Sequence, residues 1–243
     1  MCALAKGQAW VKSGATINRD TRMAQIPFII AISGGSGSGK STLSEALIEA
    51  VAPLEATLFH EDAYYWPRAH YSEAVRADGI DYDHPASKDT DALVADLAAL
   101  KAGEAITQPI YDYKTHDRVS GRGLEIRPVP IVIFEGIHTL SVLAADQFID
   151  LRVYVDTPDD LRLARRIRRD VIERKRSVES VLSQYMGSVR PAHYAHTYPA
   201  KFGADLVIAD EGLPAYGNVR PTADAVERML APVLERLRTS GVV

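Results

Sequence analysis

The chain has 243 residues, 47% hydrophobic and 25% charged, which suits one large domain with a substantial core. A formal net charge of -4 argues against nucleic-acid binding through overall charge, and the single cysteine, Cys2, excludes an intramolecular disulfide or a cysteine-based metal cluster. No segment has the length and apolarity of a signal peptide or a membrane span, so a soluble cytoplasmic protein with no membrane partner is expected.

Residues 1–25 carry polar and small residues without period and are expected to be a flexible extension; the folded domain is expected over 26–243. From there, apolar runs predict buried strands at Phe28–Ile32, Thr57–His60, Ile131–Phe134, Leu151–Val155 and Leu206–Ile208. Helical stripes fall between them, at Leu93, Leu97 and Leu100 and at Val226, Leu230, Val233, Leu234 and Leu237. This alternation predicts an α/β fold with a mostly parallel central sheet flanked by helices. Around Ser120-Gly121-Arg122-Gly123 the texture becomes β-prone and turn-rich, which predicts an inserted hairpin over about 103–127.

The first strand runs into Gly34-Gly35-Ser36-Gly37-Ser38-Gly39-Lys40-Ser41-Thr42 and then a helical pattern, a complete G-x-x-x-x-G-K-S motif in strand–loop–helix context. Glycines let the backbone wrap a phosphate and aim N–H groups at it from the positive end of a helix. The expectation is a P-loop NTPase fold that binds ATP or GTP with Mg²⁺. Lys40 would reach the β- and γ-phosphates and Ser41 would ligate the metal. A flexible Gly/Ser linker is the competing reading, disfavoured by the strand in front.

The strand Ile131–Phe134 ends in Glu135, placed to hold Mg²⁺ at the crevice beyond a parallel sheet, although an acidic strand cap looks the same in sequence. Asp62, in His60-Glu61-Asp62-Ala63-Tyr64-Tyr65-Trp66, follows the second strand. A carboxylate there can orient a hydroxyl and take its proton, so Asp62 is the candidate base, with a helix N-cap as the alternative.

A helical run over 159–190 is dense in arginine. Leu161, Ile167 and Val171 are expected to face inward, with Arg162, Arg165, Arg166 and Arg169 on the outer face. Pattern alone leaves this either a solvated or nucleic-acid-binding face or a lid that closes cations over a transferring phosphoryl group.

These pieces, with Tyr82-Asp83-His84-Pro85, Pro109-Ile110-Tyr111-Asp112-Tyr113, Thr115-His116, Phe134-Glu135-Gly136, Val155-Asp156-Thr157, Gln184-Tyr185 and Ala204-Asp205, resemble the uridine kinase and phosphoribulokinase family over nearly all of 29–208. The resemblance implies a kinase domain with an acceptor-binding hairpin and a helical lid. It implies transfer of a γ-phosphate from ATP or GTP to the 5′-hydroxyl of uridine or cytidine, with Asp62 as base. Asp83 and Arg176 would grip ribose hydroxyls, Tyr111 and His116 the pyrimidine edge, and Tyr65, Tyr82 and Tyr113 would wall the base, with Gln184 a further contact. Arg165 and Arg169 would lie at the triphosphate, and Arg174 and Arg176 nearer the lid hinge and acceptor. A homotetramer is common among such relatives.

Three residues depart from the pattern: Lys175 replaces a common lid glycine, and Tyr82 and Tyr113 replace phenylalanines. A sibling kinase acting on ribulose 5-phosphate or pantothenate, and a non-catalytic NTP-binding regulator, are the alternatives.

Overall fold

The computed structural model describes residues 26–210 and 222–243; the expected extension over 1–25 lies outside them. The apolar runs of the central strands are buried on both faces, while those at the sheet edges, Ala56–His60 and Leu206–Ala209, are buried only in part. β1 (Phe28–Ser33), β2 (Ala56–His60), β5 (Ile131–Glu135), β6 (Leu151–Asp156) and β7 (Leu206–Ala209) form one parallel sheet in the order β2-β5-β1-β6-β7. β3 (Ile106–Asp112) and β4 (Asp117–Ile126) pair separately as the antiparallel hairpin.

The period-2 geometry of a strand sends alternate side chains to opposite faces, and each face has its own core. Ile29, Ala31, Val132 and Phe134 pack with Leu93, Leu97 and Leu100 of α3 (Thr90–Lys101). Ile30, Ile32, Ile131 and Ile133 pack with Leu43 and Leu47 of α1 (Lys40–Ala50) and with Met229, Val233 and Leu237 of α7 (Ala223–Thr239). Full burial of each such side chain contributes about 1.5–3 kcal/mol. In α7 the fully buried face is Ala225, Met229, Val233 and Leu237, so the stripe is rotated slightly from the expected one; Leu230 and Leu234 are partly buried.

Between the strands lie α2 (Glu73–Asp78), α4 (Asp159–Ile172), α5 (Val178–Gln184) and the short α6 (Arg190–Ala192), the last flanked by π-helical turns at Tyr185–Val189 and His193–Thr197. Asp89 starts α3 by accepting a hydrogen bond from Ala92 N, and Ser177 starts α5 by accepting one from Ser180 N. No helix among the described residues is long and apolar enough to cross a membrane.

One expectation is reversed. On α4 the buried positions are Arg162, Arg166 and Asp170, while Leu161, Ile167 and Val171 are only partly buried. Arginine usually stays at the surface, but here polar groups receive it: Thr157 O accepts from Arg162, the distant Ser36 Oγ from Arg166, and Asp170 lies against several guanidinium groups.

Candidate active site

The sheet's parallel strands all end on one side, and the loops leaving those ends converge. From β1 comes the glycine loop. Gly37 has φ 81°, in the left-handed region, and a Cβ there would come within 2.5 Å of the Arg162 carbonyl oxygen. A Cβ at Gly35 would lie 2.2 Å from Arg162 Nη1. Gly37 therefore requires glycine, and a side chain at Gly35 would displace the Arg162 guanidinium, which supports the loop from behind. Thr157 Oγ1 adds a 2.8 Å hydrogen bond to Ser38 O.

Lys40 Nζ folds back to donate to Gly35 O at 3.2 Å. Burial pushes its pKa below the ordinary lysine value, a tendency opposed by the nearby Glu135 and Asp62 carboxylates. Ser41 Oγ donates to Glu135 Oε1 at 2.9 Å, and His60 Nδ1 lies 3.9 Å from Glu135 Oε2. One hydroxyl and one carboxylate at the phosphate loop fit Mg²⁺, a hard cation that commonly takes a few protein oxygens and completes its shell with water and substrate phosphate. Among the described residues there is no larger group of His, Cys, Asp and Glu that could hold a metal ion.

Beside this loop is a cleft lined by Ser36, Asp62, Tyr65, Tyr82, Asp83, Tyr111, Tyr113, His116, Ile137, Arg166, Arg169, Arg174, Arg176 and Gln184. Every acceptor-side residue expected from the sequence meets here. Tyr65 packs edge-on to Tyr82 at 5.7 Å between ring centroids and lies 4.9 Å from Tyr111; His116 stacks on Tyr82 at 5.1 Å and an interplanar angle of 24°. The hairpin is fixed over the cleft by Arg118, which donates to Tyr65 O at 2.7 Å and Tyr64 O at 2.9 Å, and by Gln108, whose Oε1 accepts from His60 N at 3.0 Å.

Asp62 stands at the rim with its side chain 36% exposed. Its Oδ1 accepts from Lys88 Nζ at 3.0 Å and its Oδ2 from the Tyr113 hydroxyl at 2.9 Å. Burial alone would raise its pKa, but Lys88 and Tyr113 outweigh that and hold the carboxyl far below the ordinary range. Asp83 is shifted upward by burial, moderated by the Arg166 charge and by a 3.0 Å hydrogen bond from Ser188 Oγ. For His116, burial and the charges of Arg174 and Arg176 favour the neutral ring.

The arginine helix closes the cleft. Arg166 donates to Ser36 Oγ at 2.9 Å and to Gln184 Oε1 at 3.0 Å, and Arg176 donates to the same Gln184 oxygen at 2.5 Å. Arg174 lies over the Tyr113 ring, 4.6 Å from its centroid. Arg165 is outside the cleft wall: it donates to Asp210 Oδ2 at 2.5 Å beside Gly39, on the α1 side of the loop. Lys175, where the resemblance expects glycine, has φ 57°, a left-handed conformation that glycine adopts at lower cost.

Sequence reasoning did not find four contributors. Arg166, which the helical pattern puts on the outer face, is buried; its spacing of four from Asp170 is the signal that points inward. Asp170, with its side chain fully buried, faces Arg166, Arg169, Arg174 and Arg176 at 3.7, 2.9, 3.6 and 3.3 Å. Lys88 and Glu61, both buried, carry no spacing signal at all.

Comparison with known proteins gives this arrangement its relatives. The family described as "Phosphoribulokinase / Uridine kinase family" matches residues 29–213. The chain is 41% identical over 186 residues to a protein named uridine kinase from Brevibacillus brevis, covering 76% of this chain and 86% of that protein. A protein of the same name from Streptococcus equi subsp. zooepidemicus is 39% identical over 188 residues, with 77% and 89% covered. Among solved structures, a phosphoribulokinase from Rhodobacter spheroides shares the fold with a TM-score of 0.57 at 14% identity, over 82% of this chain and 75% of that one.

Proposed function

The chain belongs to the phosphoribulokinase/uridine kinase family, and from that premise we propose that it transfers the γ-phosphate of ATP or GTP to the 5′-hydroxyl of uridine or cytidine. The observation that carries this reading is the position of Asp62. It is the carboxylate at the rim of a cleft that also contains Ser36 of the phosphate loop, the cations Arg169 and Arg174, and an aromatic wall of Tyr65, Tyr82, Tyr111 and Tyr113. A flat, polarisable base suits such a wall, with His116 and Tyr111 placed for its edge and Asp83 with Arg176 for the ribose.

In this mechanism the loop N–H groups and Lys40 hold the donor phosphates, and Ser41 and Glu135 would hold Mg²⁺, which would neutralise charge on the donor phosphates. Asp62 accepts a hydrogen bond from the acceptor hydroxyl and takes its proton as the new O–P bond forms. The bond from the γ-phosphorus to its bridging oxygen breaks, and the electron pair leaves with the nucleoside diphosphate. Arg169 and the lid arginines stabilise charge on the equatorial oxygens, and Arg165 acts from the α1 side. Lid closure excludes water and so limits hydrolysis of the donor. Residues 26–243 act as one kinase domain, in the cytoplasm, and the homotetramer implied by the resemblance is its expected assembly.

A second reading has its own observation. Arg166, Arg169, Arg174 and Arg176 border the cleft, which would suit a phosphorylated acceptor. Asp170 already faces all four, however, and the tyrosine wall favours an uncharged acceptor. The test is turnover with Mg·ATP or Mg·GTP against uridine, cytidine, adenosine, pantothenate and ribulose 5-phosphate, with Asp62→Asn alongside. Transfer confined to the pyrimidine nucleosides, reduced by about 10²–10⁴-fold in the variant while donor affinity is kept, is the expected result. Transfer to ribulose 5-phosphate instead would overturn the acceptor assignment, and an undiminished variant would remove Asp62 from the chemistry.

A further inference from the structure

Lys88 lies outside every recognised motif, in the turn before α3, yet its side chain is only 3% exposed. Its Nζ is 3.0 Å from Asp62 Oδ1 and 3.0 Å from Glu61 Oε1, and it sits 4.7 Å from the centroid of the Tyr65 ring that lines the cleft. Glu61 is more deeply buried still, at 1%. Its Oε2 accepts from His138 N at 2.9 Å, and it packs so closely on Gly136 that a Cβ there would fall 1.9 Å from Oε2.

The backbones of the two segments are joined as well. Asp89 N donates to Tyr64 O at 2.8 Å and Trp66 N to Ser87 O at 3.0 Å, on either side of a bridge between Tyr65 and Lys88. The ammonium is therefore held at a fixed place relative to the 61–65 turn.

Burying an ammonium costs several kcal/mol unless carboxylates compensate it. Glu61 alone would neutralise the charge, and Glu61 is out of contact with the cleft. The second partner is Asp62, which lines the cleft and is approached by Lys88 on the oxygen opposite to the Tyr113 hydroxyl. We propose that Lys88 is the positioning residue for the base: its ammonium fixes the orientation of the Asp62 carboxylate, with Glu61 as the counter-charge that lets the ammonium be buried.

The proposal rests on the reading of Asp62 as the base. It also accounts for the low basicity of that carboxylate. In a loose phosphoryl-transfer transition state the acceptor oxygen gains little bonding before the leaving group departs, so a correctly aimed, ionised acceptor of the proton matters more than a strong one. Asp62 also interacts with Tyr113 and Tyr111 from the hairpin, Tyr65 in its own turn, Lys40 from α1 and Arg174 beyond the end of α4, while Glu61 faces the same Lys88 ammonium. Only Lys88 and Tyr113 make the direct hydrogen bonds described for its carboxylate.

The test uses Lys88→Met and the double variant Glu61→Gln/Lys88→Met, each assayed with Mg·ATP and whichever acceptor the wild type phosphorylates, across pH, with thermal unfolding in parallel. The single variant leaves Glu61 buried without a counter-charge and loses stability; the double variant removes both charges and keeps a Tm near that of the wild type. In the folded double variant kcat falls about tenfold to a hundredfold. The acceptor KM stays within about twofold, and the acidic limb of kcat moves to higher pH by about 1 unit or more, because Asp62 has lost the cation that depressed its pKa. A folded double variant with wild-type kcat and an unmoved acidic limb overturns the proposal while leaving Asp62 as base. A wild type that transfers phosphate to no acceptor overturns it together with the reading on which it rests.

Discussion

Ser41 Oγ donates a 2.9 Å hydrogen bond to Glu135 Oε1, joining the first turn of α1 to the last residue of β5. Glu135 reaches that hydroxyl because β5 lies beside β1 in register, with Ile32 opposite Glu135. If this pair holds Mg²⁺ with the donor phosphates, Glu135→Gln keeps the shape but loses the charge. The Mg²⁺ concentration giving half-maximal activity should then rise about 10- to 100-fold, with unchanged nucleotide binding in the absence of metal. An activity titration with MgCl₂ checks this, and an unaltered requirement would take Glu135 out of the metal site.

Asp170 is the hub of the arginine cluster. Burial raises its pKa, yet Arg169, Arg174 and Arg166 outweigh that and hold it below the ordinary carboxylate value. Asp170→Asn keeps the volume and removes the only charge that compensates this arginine cluster from within α4. A loss of about 3–5 kcal/mol in urea unfolding is expected, as for breaking a buried pair by removing one partner, along with faster proteolysis between Ile172 and Val178. A variant as stable as the wild type, with the same cleavage rate, would show that the four arginines are held by other means.

His193 sits under Gly35 beside Arg162, and burial, with the Arg162 charge, lowers its pKa to about 4. The folded protein therefore keeps the ring neutral while the unfolded chain protonates it near its ordinary value. The stabilisation is complete above about pH 6.5 and is lost as pH falls toward 4, at about 1.4 kcal/mol per pH unit within that window. His193→Gln should flatten the decline in unfolding free energy between pH 6.5 and 4.5. A parallel decline in both proteins would assign the acid sensitivity elsewhere.

The sequence made the sheet, the phosphate loop and the hairpin legible for a common reason: each depends on residues adjacent in the chain. Ile29 to Ile32 is buried because it is a continuous apolar run, and Gly37 requires glycine because its own φ is positive. Long-range polar compensation has no such local signature. Arg166 looks like a surface residue until Ser36, 130 positions away, is brought to it, and Lys88 looks like a solvated turn lysine until the 61–65 segment folds over it. The cleft residues of the hairpin were readable because Tyr111, Tyr113 and His116 form part of a recognisable order of segments. The hydrogen bond from Tyr113 to Asp62 was not, because a hydroxyl added to an aromatic wall gives no indication in sequence of where it points.

The parallel order β2-β5-β1-β6-β7 has a consequence for how such a molecule can diversify. The sheet contributes its interior to the two cores, and the cleft is lined beyond its strand ends, with the tyrosine wall carried by the 61–88 segment and the hairpin. The glycine loop is anchored separately, by Arg162 and Thr157. Exchanging the wall thus leaves the anchorage of that loop in place. The architecture behaves as a constant engine with an interchangeable mouthpiece: a new acceptor can be reached by changing the cleft-facing side chains of two segments while their buried anchors, Tyr64, Ile106 and Ile126, stay in the core.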